Sequence, residues 1–156
     1  MQLFRKFLTN NIVGISSGGG HLSELLAAIP STIERDMVYI TVNNSHTKKS
    51  LKNTRHRFII DPHISVVKYL VNLTHAFILF VVIRPKAIIS TGAGVAIPFM
   101  MLGKLFGSRL IFIETGARVH TMSKSGKFMY KYADRFFVQY GQLLDKYPNA
   151  TLGGLH

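Results

Sequence analysis

Three short segments of the sequence combine glycine with side chains that could do chemistry. They are SSGGGH at 16–21, STGAG at 90–94 and ETGARVHT at 114–121. Glycine lets the backbone approach a ligand closely, and the start of a helix offers free N–H groups and a positive dipole to an anion. Singly, each segment could be only a tight turn, but together they predict a cleft for a phosphorylated, hydroxyl-bearing ligand. The predicted binding residues are Ser17, Gly18, Gly19, Gly20, Thr91, Gly92, Gly94 and Arg118.

Two residues in these segments are candidates for a catalytic base. His21 stands at the predicted start of a helix, and a neutral histidine can accept a proton. Glu114 directly follows an apolar run, where a carboxylate is costly unless it is hydrogen-bonded or catalytic. Arg118 could pair with Glu114 in a structural ion pair or hold a phosphate, and His120 could be loop surface. We predict that His21 or Glu114 deprotonates an attacking hydroxyl, and the sequence leaves open which.

The first glycine segment does not suit a dinucleotide. Gly18 and Gly20 supply two glycines of the Rossmann fingerprint, but Ser23 stands where the third belongs. No clear acidic residue ends the second predicted strand, so an NAD site is disfavoured. The chain has no cysteine, which excludes disulfides and thiolate chemistry. We predict no cofactor and no metal site.

Strands and helices alternate along the chain, and this order would position the three segments. The pattern predicts a mainly parallel, Rossmann-like α/β sheet with helices on both faces, in a single domain over residues 1–156. The carboxyl ends of such strands meet at one edge, where ligands bind. Predicted strands are Ile12–Ser16, Met37–Val42, Arg57–Ile60, Lys86–Ser90, Arg109–Ile113 and Arg135–Val138. Helices are predicted over 22–29, Ile64–Ile83, Val95–Phe106, Lys124–Tyr132 and Gln142–Lys146.

The segment Ile64–Ile83 is long and apolar enough to span a bilayer. Its polar residues Lys68, Asn72 and His75 form a narrow stripe at helical spacing. Crossing a membrane would place the glycine segments in different compartments and preclude a common sheet. We therefore predict a crossover helix with one side on the sheet and a surplus apolar face that contacts lipid or another protein. A transmembrane helix is the alternative.

The chain is strongly basic, with 19 Lys and Arg against 7 Asp and Glu and a net charge of +12. Such a charge attracts an anionic lipid surface, a phosphorylated substrate or nucleic acid, although it could also reflect an acidic partner or a basic proteome. Nucleic acid is disfavoured because no recognition motif accompanies the local basic cluster at 48–57. The first eleven residues lack the long apolar region of a signal peptide; they could lie on a membrane surface or lead into the first strand.

Four blocks of sequence carry a resemblance to a known family. The blocks SSGGGHLSELL, RPKAIISTGAGVAIPFMMLGKLFG, RLIFIETGARV and KYADRFFVQYGQL occur in the family's order. They resemble the membrane-recruiting subunit of the two-part UDP-N-acetylglucosamine transferase of dolichol-linked oligosaccharide synthesis, and its bacterial capsular and exopolysaccharide relatives. The resemblance runs from Ile12 to the C-terminus. The family is in turn similar to the N-terminal half of the peptidoglycan glycosyltransferase that forms lipid II, which has the GT-B arrangement of two Rossmann-like domains.

The resemblance implies a division of labour between two polypeptides. This chain would bind a polyprenyl-diphosphate-linked saccharide at the cytoplasmic membrane face, and a small donor-binding subunit would bring the UDP-sugar. By position, His21 and Gly18–Gly20 match the loop that faces the acceptor's diphosphate, Glu114 matches an acidic residue at a strand end, and 151–156 match a tail that grips the partner.

The eukaryotic subunit's N-terminal membrane anchor is not recognised in this sequence, so we expect peripheral attachment through the apolar helix and the basic surface. Residues expected to contact the membrane or the partner are Lys68, Tyr69, Phe77, Phe80, Leu152 and Leu155. We expect the chain to be inactive without its partner. One alternative is a non-catalytic scaffold that activates the partner, and a less favoured one is a basic nucleic-acid-binding domain.

Overall fold

The fold is a seven-stranded parallel sheet covered by helices. The structure is a computed structural model that describes residues 11–34, 36–62 and 65–153. The strands are ordered β3-β2-β1-β4-β5-β6-β7, and every neighbouring pair is parallel. The strands are β1 (Ile12–Ser16), β2 (Met37–Val42), β3 (His56–Ile59), β4 (Ala87–Gly92), β5 (Arg109–Ile113), β6 (Arg135–Val138) and β7 (Thr151–Leu152). The predicted Rossmann-like fold class is confirmed.

Six α-helices connect the strands in the described part of the chain. They are α1 (Gly20–Ala28), α2 (Ser31–Glu34), α3 (Ser45–Ser50), α4 (Val66–Ile83), α5 (Ile97–Leu105) and α6 (Lys124–Met129). Single 3-10 turns occupy Gly94–Ala96 and Gly141–Leu143. Alternate residues of β1 face opposite layers, with Val13 and Ile15 in the core beneath α4 and α5, and Ile12 in the core beneath α1. The sheet is therefore covered on both faces, as the alternating pattern predicts.

The strand order reverses its direction of growth between β1 and β4. The chain adds β2 and β3 on one side of β1, then crosses through α4 to build β4 to β7 on the other. In open α/β sheets ligands bind in the crevice outside the carboxyl ends of the strands at such a switch point. The segments after β1, β4 and β5 all begin at this edge.

The crossover helix α4 exposes an unusual amount of apolar side chain. Only four of its 18 residues are buried, namely Asn72, Ala76, Leu79 and Phe80. By length and composition it is the one helix in the described residues that could cross a membrane. The strands before and after it belong to one sheet, however, so it is a crossover helix with one side packed, as predicted.

Two details of α4 correct the sequence-based view. Asn72 does not form part of an outward polar stripe; it is fully buried, and its Nδ2 donates to the carbonyl of Ile60 at 2.6 Å. Phe80, expected at the membrane or partner surface, is only 6% exposed because its ring packs against Phe99 and Phe106. Both side chains belong to the packed side of α4, and the exposed side is mainly apolar, with Lys68 and Thr74 as its exposed polar residues.

Element boundaries differ from the predictions mainly where short local interactions decide them. The predicted helix Val95–Phe106 begins as a 3-10 turn, with Ala93 before it at φ 72°. Helix α3 forms within the basic loop because Asn44 and Thr47 cap it reciprocally. Helices α2 and α3 and the two-residue strand β7 were not predicted, since each is too short to show a periodic pattern.

Candidate functional site

The three glycine-containing segments meet at the carboxyl edge of the sheet. Ser16, the last residue of β1, pairs with Gly92 of β4, which brings the first two segments side by side. Thr91 Oγ1 donates to the backbone carbonyl of His21 at 2.6 Å and joins them directly. The third segment follows β5, the neighbour of β4 in the sheet. The expectation that they form one rim is therefore satisfied.

The first segment presents open backbone at the start of α1. Gly19 has a φ of 68°, and α1 begins without a side-chain cap, which leaves first-turn N–H groups free for a ligand. A Cβ at Gly19, Gly20 or Gly94 would meet nothing within 4 Å. Ser17 is half-buried beside them. These residues border the accessible part of the rim, and their contact with a ligand stays a prediction.

Several predicted binding residues serve packing instead. A Cβ at Gly18 would lie 2.8 Å from Nδ2 of Asn44, so glycine is needed there for close approach of α3. Thr91 is 1% exposed, and its hydroxyl is used by the His21 carbonyl. Gly92 is buried with φ 109°, a conformation that favours glycine. These residues therefore shape the rim from within, and contact between the backbone of Gly18, which is half-buried, and a ligand stays a prediction.

His21 lies at the junction of the first two segments. A Cβ at Gly92 would be 3.7 Å from its Cε1, so the imidazole packs over the glycine of the second segment. Its Nδ1 is 3.7 Å from Oε2 of Glu24, one helical turn further along α1. The His21 side chain remains 30% exposed. This position allows a ligand held at the rim to reach the ring.

Glu24 also lies at the rim, and the sequence motifs did not predict it. Its Oε1 accepts hydrogen bonds from Thr115 Oγ1 and from the backbone N–H of Gly116, both at 2.9 Å. The side chain thereby connects α1 with the third segment. The i, i+3 spacing to His21 was the available signal, because residues three apart share a helix face.

Glu114 is placed differently from the prediction. It is only 1% exposed. One carboxylate oxygen accepts from the N–H of Thr115 at 3.0 Å, and the other accepts from the N–H and hydroxyl of Ser123 at 3.1 and 3.2 Å. A Cβ at Gly126 would collide with this carboxylate, so helix α6 packs directly on it. Glu114 thus fixes the loop between β5 and α6 and does not open onto the rim, which removes it as a candidate base.

Arg118 does not neutralise Glu114. Its side chain is exposed, and within the described residues no ion pair joins it to the carboxylate. The backbone and Ser123 already satisfy the buried charge, so an arginine is not needed there. The predicted ion pair with Glu114 is therefore wrong, and contact between Arg118 and an anionic ligand stays a prediction.

A second region, which we call the α4 surface, consists of the exposed face of α4 and the end of α5. Helix α4 contributes Val66, Val67, Tyr69, Leu70, Val71, Leu73, Phe77, Ile78, Val81 and Val82, and the end of α5 contributes Leu105 and the following Phe106. The cations Lys68, Arg84 and Lys104 border it. Among the expected membrane or partner contacts, Lys68, Tyr69, Phe77 and Leu152 are exposed, and Leu155 lies outside the described residues. Contiguous apolar surface of this kind marks an interaction site.

Comparison with known proteins identifies the family. The family described as "Oligosaccharide biosynthesis protein Alg14 like" matches residues 41–156, well over half of the chain. The chain belongs to the Alg14 family. The resemblance drawn from the four sequence blocks is therefore confirmed.

Relatives in this family carry the name UDP-N-acetylglucosamine transferase subunit ALG14. The protein of that name from Yarrowia lipolytica is 26% identical over 146 residues, which cover 90% of this chain and 64% of the relative. The human protein is 30% identical over 78 residues, covering 46% of this chain and 36% of the relative. The chain thus spans less than two thirds of the length of these relatives.

Solved structures support the fold assignment. The MurG structure from Acinetobacter baumannii has a TM-score of 0.70 at 15% identity, covering 85% of this chain and 42% of MurG. A UDP-N-acetylglucosamine 2-epimerase from Rickettsia bellii has a TM-score of 0.71 at 10% identity, covering 94% of this chain and 45% of the epimerase. The chain therefore has the fold of roughly half of each of these larger proteins.

Proposed function

We propose that this chain is one subunit of a bipartite UDP-sugar glycosyltransferase that acts on a polyprenyl-diphosphate-linked saccharide at the cytoplasmic membrane face. The observation that carries the proposal is the gathering of three strand-end segments around His21, at the switch point of the sheet, in a member of the Alg14 family. Capsular or exopolysaccharide synthesis and lipid-linked oligosaccharide synthesis are the settings in which such an acceptor is used.

We assign the donor site to a second polypeptide. The relatives of this chain are named as subunits of a UDP-N-acetylglucosamine transferase. The rim described here is one wall of a cleft, and a UDP-sugar would be held by the partner on the opposite side. We propose that the partner is a small donor-binding subunit, gripped in part by the tail that includes Leu152 and Leu155.

In the proposed reaction the acceptor's diphosphate lies over the start of α1. The free N–H groups near Gly19 and Gly20, the helix dipole and Arg118 suit an anion. An acceptor hydroxyl attacks the anomeric carbon of the UDP-sugar; the new bond joins that oxygen and carbon, and the bond from the carbon to the diphosphate oxygen breaks. The hydroxyl proton passes to His21, and UDP leaves with the bonding electrons. Glu114 takes no part in this transfer.

Membrane attachment is assigned to the α4 surface together with the basic charge. Val66 and Leu105 are each 76% exposed, which is costly in water and favourable in the acyl boundary of a bilayer. The net charge of +12 would add attraction to anionic headgroups. Either contribution alone binds weakly, and the two together would hold the rim at the membrane where a lipid-linked acceptor resides.

A scaffold without a chemical role is the second candidate. Its support is the burial of Glu114 and Thr91, which makes two predicted contacts structural. Under this alternative the rim only shapes the partner's site. His21 would then be dispensable for the rate.

The test is sugar transfer in a reconstituted mixture of this chain, the donor-binding subunit, UDP-N-acetylglucosamine and a short-chain polyprenyl-diphosphate-linked sugar. We expect His21→Ala to lower the rate by about 100-fold or more, as for loss of a general base. The exposed His46 on α3 provides the matched control, and His46→Ala should leave the rate unchanged. Full activity of His21→Ala would reject the catalytic assignment in favour of the scaffold.

A further inference from the structure

Two polar atoms at the rim face each other and have no other hydrogen-bond partner among the described residues. Nδ1 of His21 and Oε2 of Glu24 are buried atoms for which the structure records no hydrogen bond. They lie 3.7 Å apart. Burying an unpaired nitrogen and an unpaired carboxylate oxygen is costly, and each atom is the nearest means of satisfying the other. Closing the distance by roughly half an ångström would bring the pair into hydrogen-bond range.

The carboxylate of Glu24 is held in place from its other side. Its Oε1 accepts two hydrogen bonds, one from the hydroxyl of Thr115 and one from the N–H of Gly116. Because both donors belong to the segment after β5, they fix the carboxylate against rotation, and Oε2 remains directed at His21. The backbone N–H can only donate, so Oε1 is committed as an acceptor.

The His21 side chain is buried at Nδ1 and partly exposed elsewhere. Nδ1 is buried, whereas the side chain as a whole is 30% exposed. The exposed part of the side chain therefore lies away from Nδ1, and it is the part that a ligand at the rim would meet.

We propose that Glu24 is a positioning residue that sets the tautomer of His21. In this arrangement Nδ1 carries the proton and donates it to Glu24, so that Nε2 presents a lone pair to the acceptor hydroxyl. When Nε2 takes up the hydroxyl proton, the nearby carboxylate stabilises the imidazolium that forms. The inference deepens the proposed function, on which the role of Nε2 rests, but the tautomer itself can be measured without any substrate.

Glu24→Gln gives a sharp test because the amide has only one acceptor. The N–H of Gly116 can only donate and requires the amide oxygen, to which the Thr115 hydroxyl can also donate, so the NH₂ group turns towards Nδ1 of His21. Nδ1 must then accept, and the imidazole proton moves to Nε2. The variant is nearly isosteric, so a change in tautomer is expected without loss of the fold.

The experiment uses ¹⁵N-labelled chain and long-range ¹H–¹⁵N correlation spectra recorded at a pH where the imidazole of His21 is neutral. We expect a protonated Nδ1 in the wild type and a protonated Nε2 in Glu24→Gln. Glu34→Gln, which neutralises an exposed glutamate on α2, should keep the wild-type pattern. Thr115→Val retains Glu24 but removes one of the two hydrogen bonds to its Oε1, so it should give a mixture of tautomers. This variant replaces Glu24→Gln in the test if Glu24→Gln does not fold.

The proposal is overturned if the wild type carries its proton on Nε2, or if the tautomer is the same in Glu24→Gln and Thr115→Val as in the wild type. Transfer assays separate this result from the fate of the proposed function. A tautomer change with an undiminished rate in both Glu24→Gln and His21→Ala would uphold the positioning and reject His21 as the base. An unchanged tautomer with inactive His21→Ala would reject the positioning alone. If Glu24 positions His21 and His21 is the base, Glu24→Gln should slow sugar transfer by about 100-fold or more.

Discussion

The rim at the carboxyl edge and the α4 surface depart from an ordinary protein surface in opposite ways. At the rim, ionisable and polar groups are drawn inward: Glu114 is buried and hydrogen-bonded, and His21 and Glu24 turn towards each other. On the α4 surface, valine, leucine and phenylalanine are left in contact with water. Buried polar groups and large exposed apolar patches are the informative exceptions to the usual distribution.

The difference indicates that the chain by itself organises the rim but leaves the apolar side chains of the α4 surface uncovered. The rim is pre-organised within this chain, because hydrogen bonds between its three segments already fix their positions. The α4 surface is unfinished, since none of the described residues covers its exposed side chains. We expect a lipid surface or a protein to cover it, and each prediction tests one side of this contrast.

The largest effect should come from a pair of phenylalanines on α4 that are three residues apart. Phe80 is 6% exposed and packs on Phe99, so Phe80→Ala should lower the free energy of unfolding by about 3–5 kcal/mol. Phe77 is 48% exposed, and Phe77→Ala should cost below about 1 kcal/mol. Chemical denaturation measures both. Equal losses would contradict the division of α4 into a packed and an unfinished side.

Glu114 should behave as a structural carboxylate. Glu114→Ala leaves two backbone N–H groups and the Ser123 hydroxyl without their acceptor, so we expect a loss of about 2–3 kcal/mol in unfolding free energy. The exposed Glu34 is the control, with an expected change within about 0.5 kcal/mol for Glu34→Ala. A Glu114→Ala variant of wild-type stability that lost only activity would restore Glu114 to the catalytic role.

Glutamates placed on the α4 surface should weaken lipid binding while leaving the stability of the fold unchanged. Val67 and Val82 lie near its two ends, and the double variant Val67→Glu, Val82→Glu should weaken sedimentation with anionic vesicles by more than about tenfold, or about 1.4 kcal/mol. A control with the same change in charge, Thr32→Glu with Gln142→Glu, alters exposed positions on other elements and should weaken binding less. Equal losses of vesicle binding in the two double variants would indicate that charge alone attaches the chain to the vesicles.

The smallest effect should come from the exposed ion pair between Lys104 and Asp134, beside the α4 surface. The backbone N–H of Leu110 and the ammonium of Lys104 lower the pKa of Asp134. Since the folded-state pKa lies below the unfolded one, the stabilisation is present above the ordinary pKa and is lost as the pH falls through the folded value. Asp134→Asn should lower the free energy of unfolding by less than about 1 kcal/mol at neutral pH. The difference in stability between the variant and the wild type should shrink in acid, and thermal melts at several pH values measure it.

Much of the fold could be predicted because its signals are periodic. The strands β1, β2, β5 and β6 have the predicted limits, since each is a continuous apolar run between turn residues. The α4 crossover followed from topology, because no parallel sheet could include strands on both sides of a membrane. Helix α3 forms because of a local cap, and strand β7 forms because it pairs with β6. Both elements are too short to show a periodic pattern in the sequence.

The site was predictable in its location but not in its details. Glycine and polar residues after strands mark the rim, so His21 was found. The sequence could not distinguish Glu114, which is enclosed by Ser123 and α6, from a carboxylate open to a ligand. Glu24 carries no motif, and its importance depends on a contact with Thr115 that lies 91 residues away along the chain. Long-range contacts of this kind decide which polar residues face a ligand.

The most direct test of the account compares three mixtures in one transfer assay: this chain alone, the donor-binding subunit alone, and both together. Each receives UDP-N-acetylglucosamine and the polyprenyl-diphosphate-linked acceptor. If the rim is one wall of a shared cleft, only the combined mixture forms product, and the His21→Ala chain fails to support it. Product from this chain alone would contradict the bipartite site, and full support by the His21→Ala chain would contradict the catalytic rim.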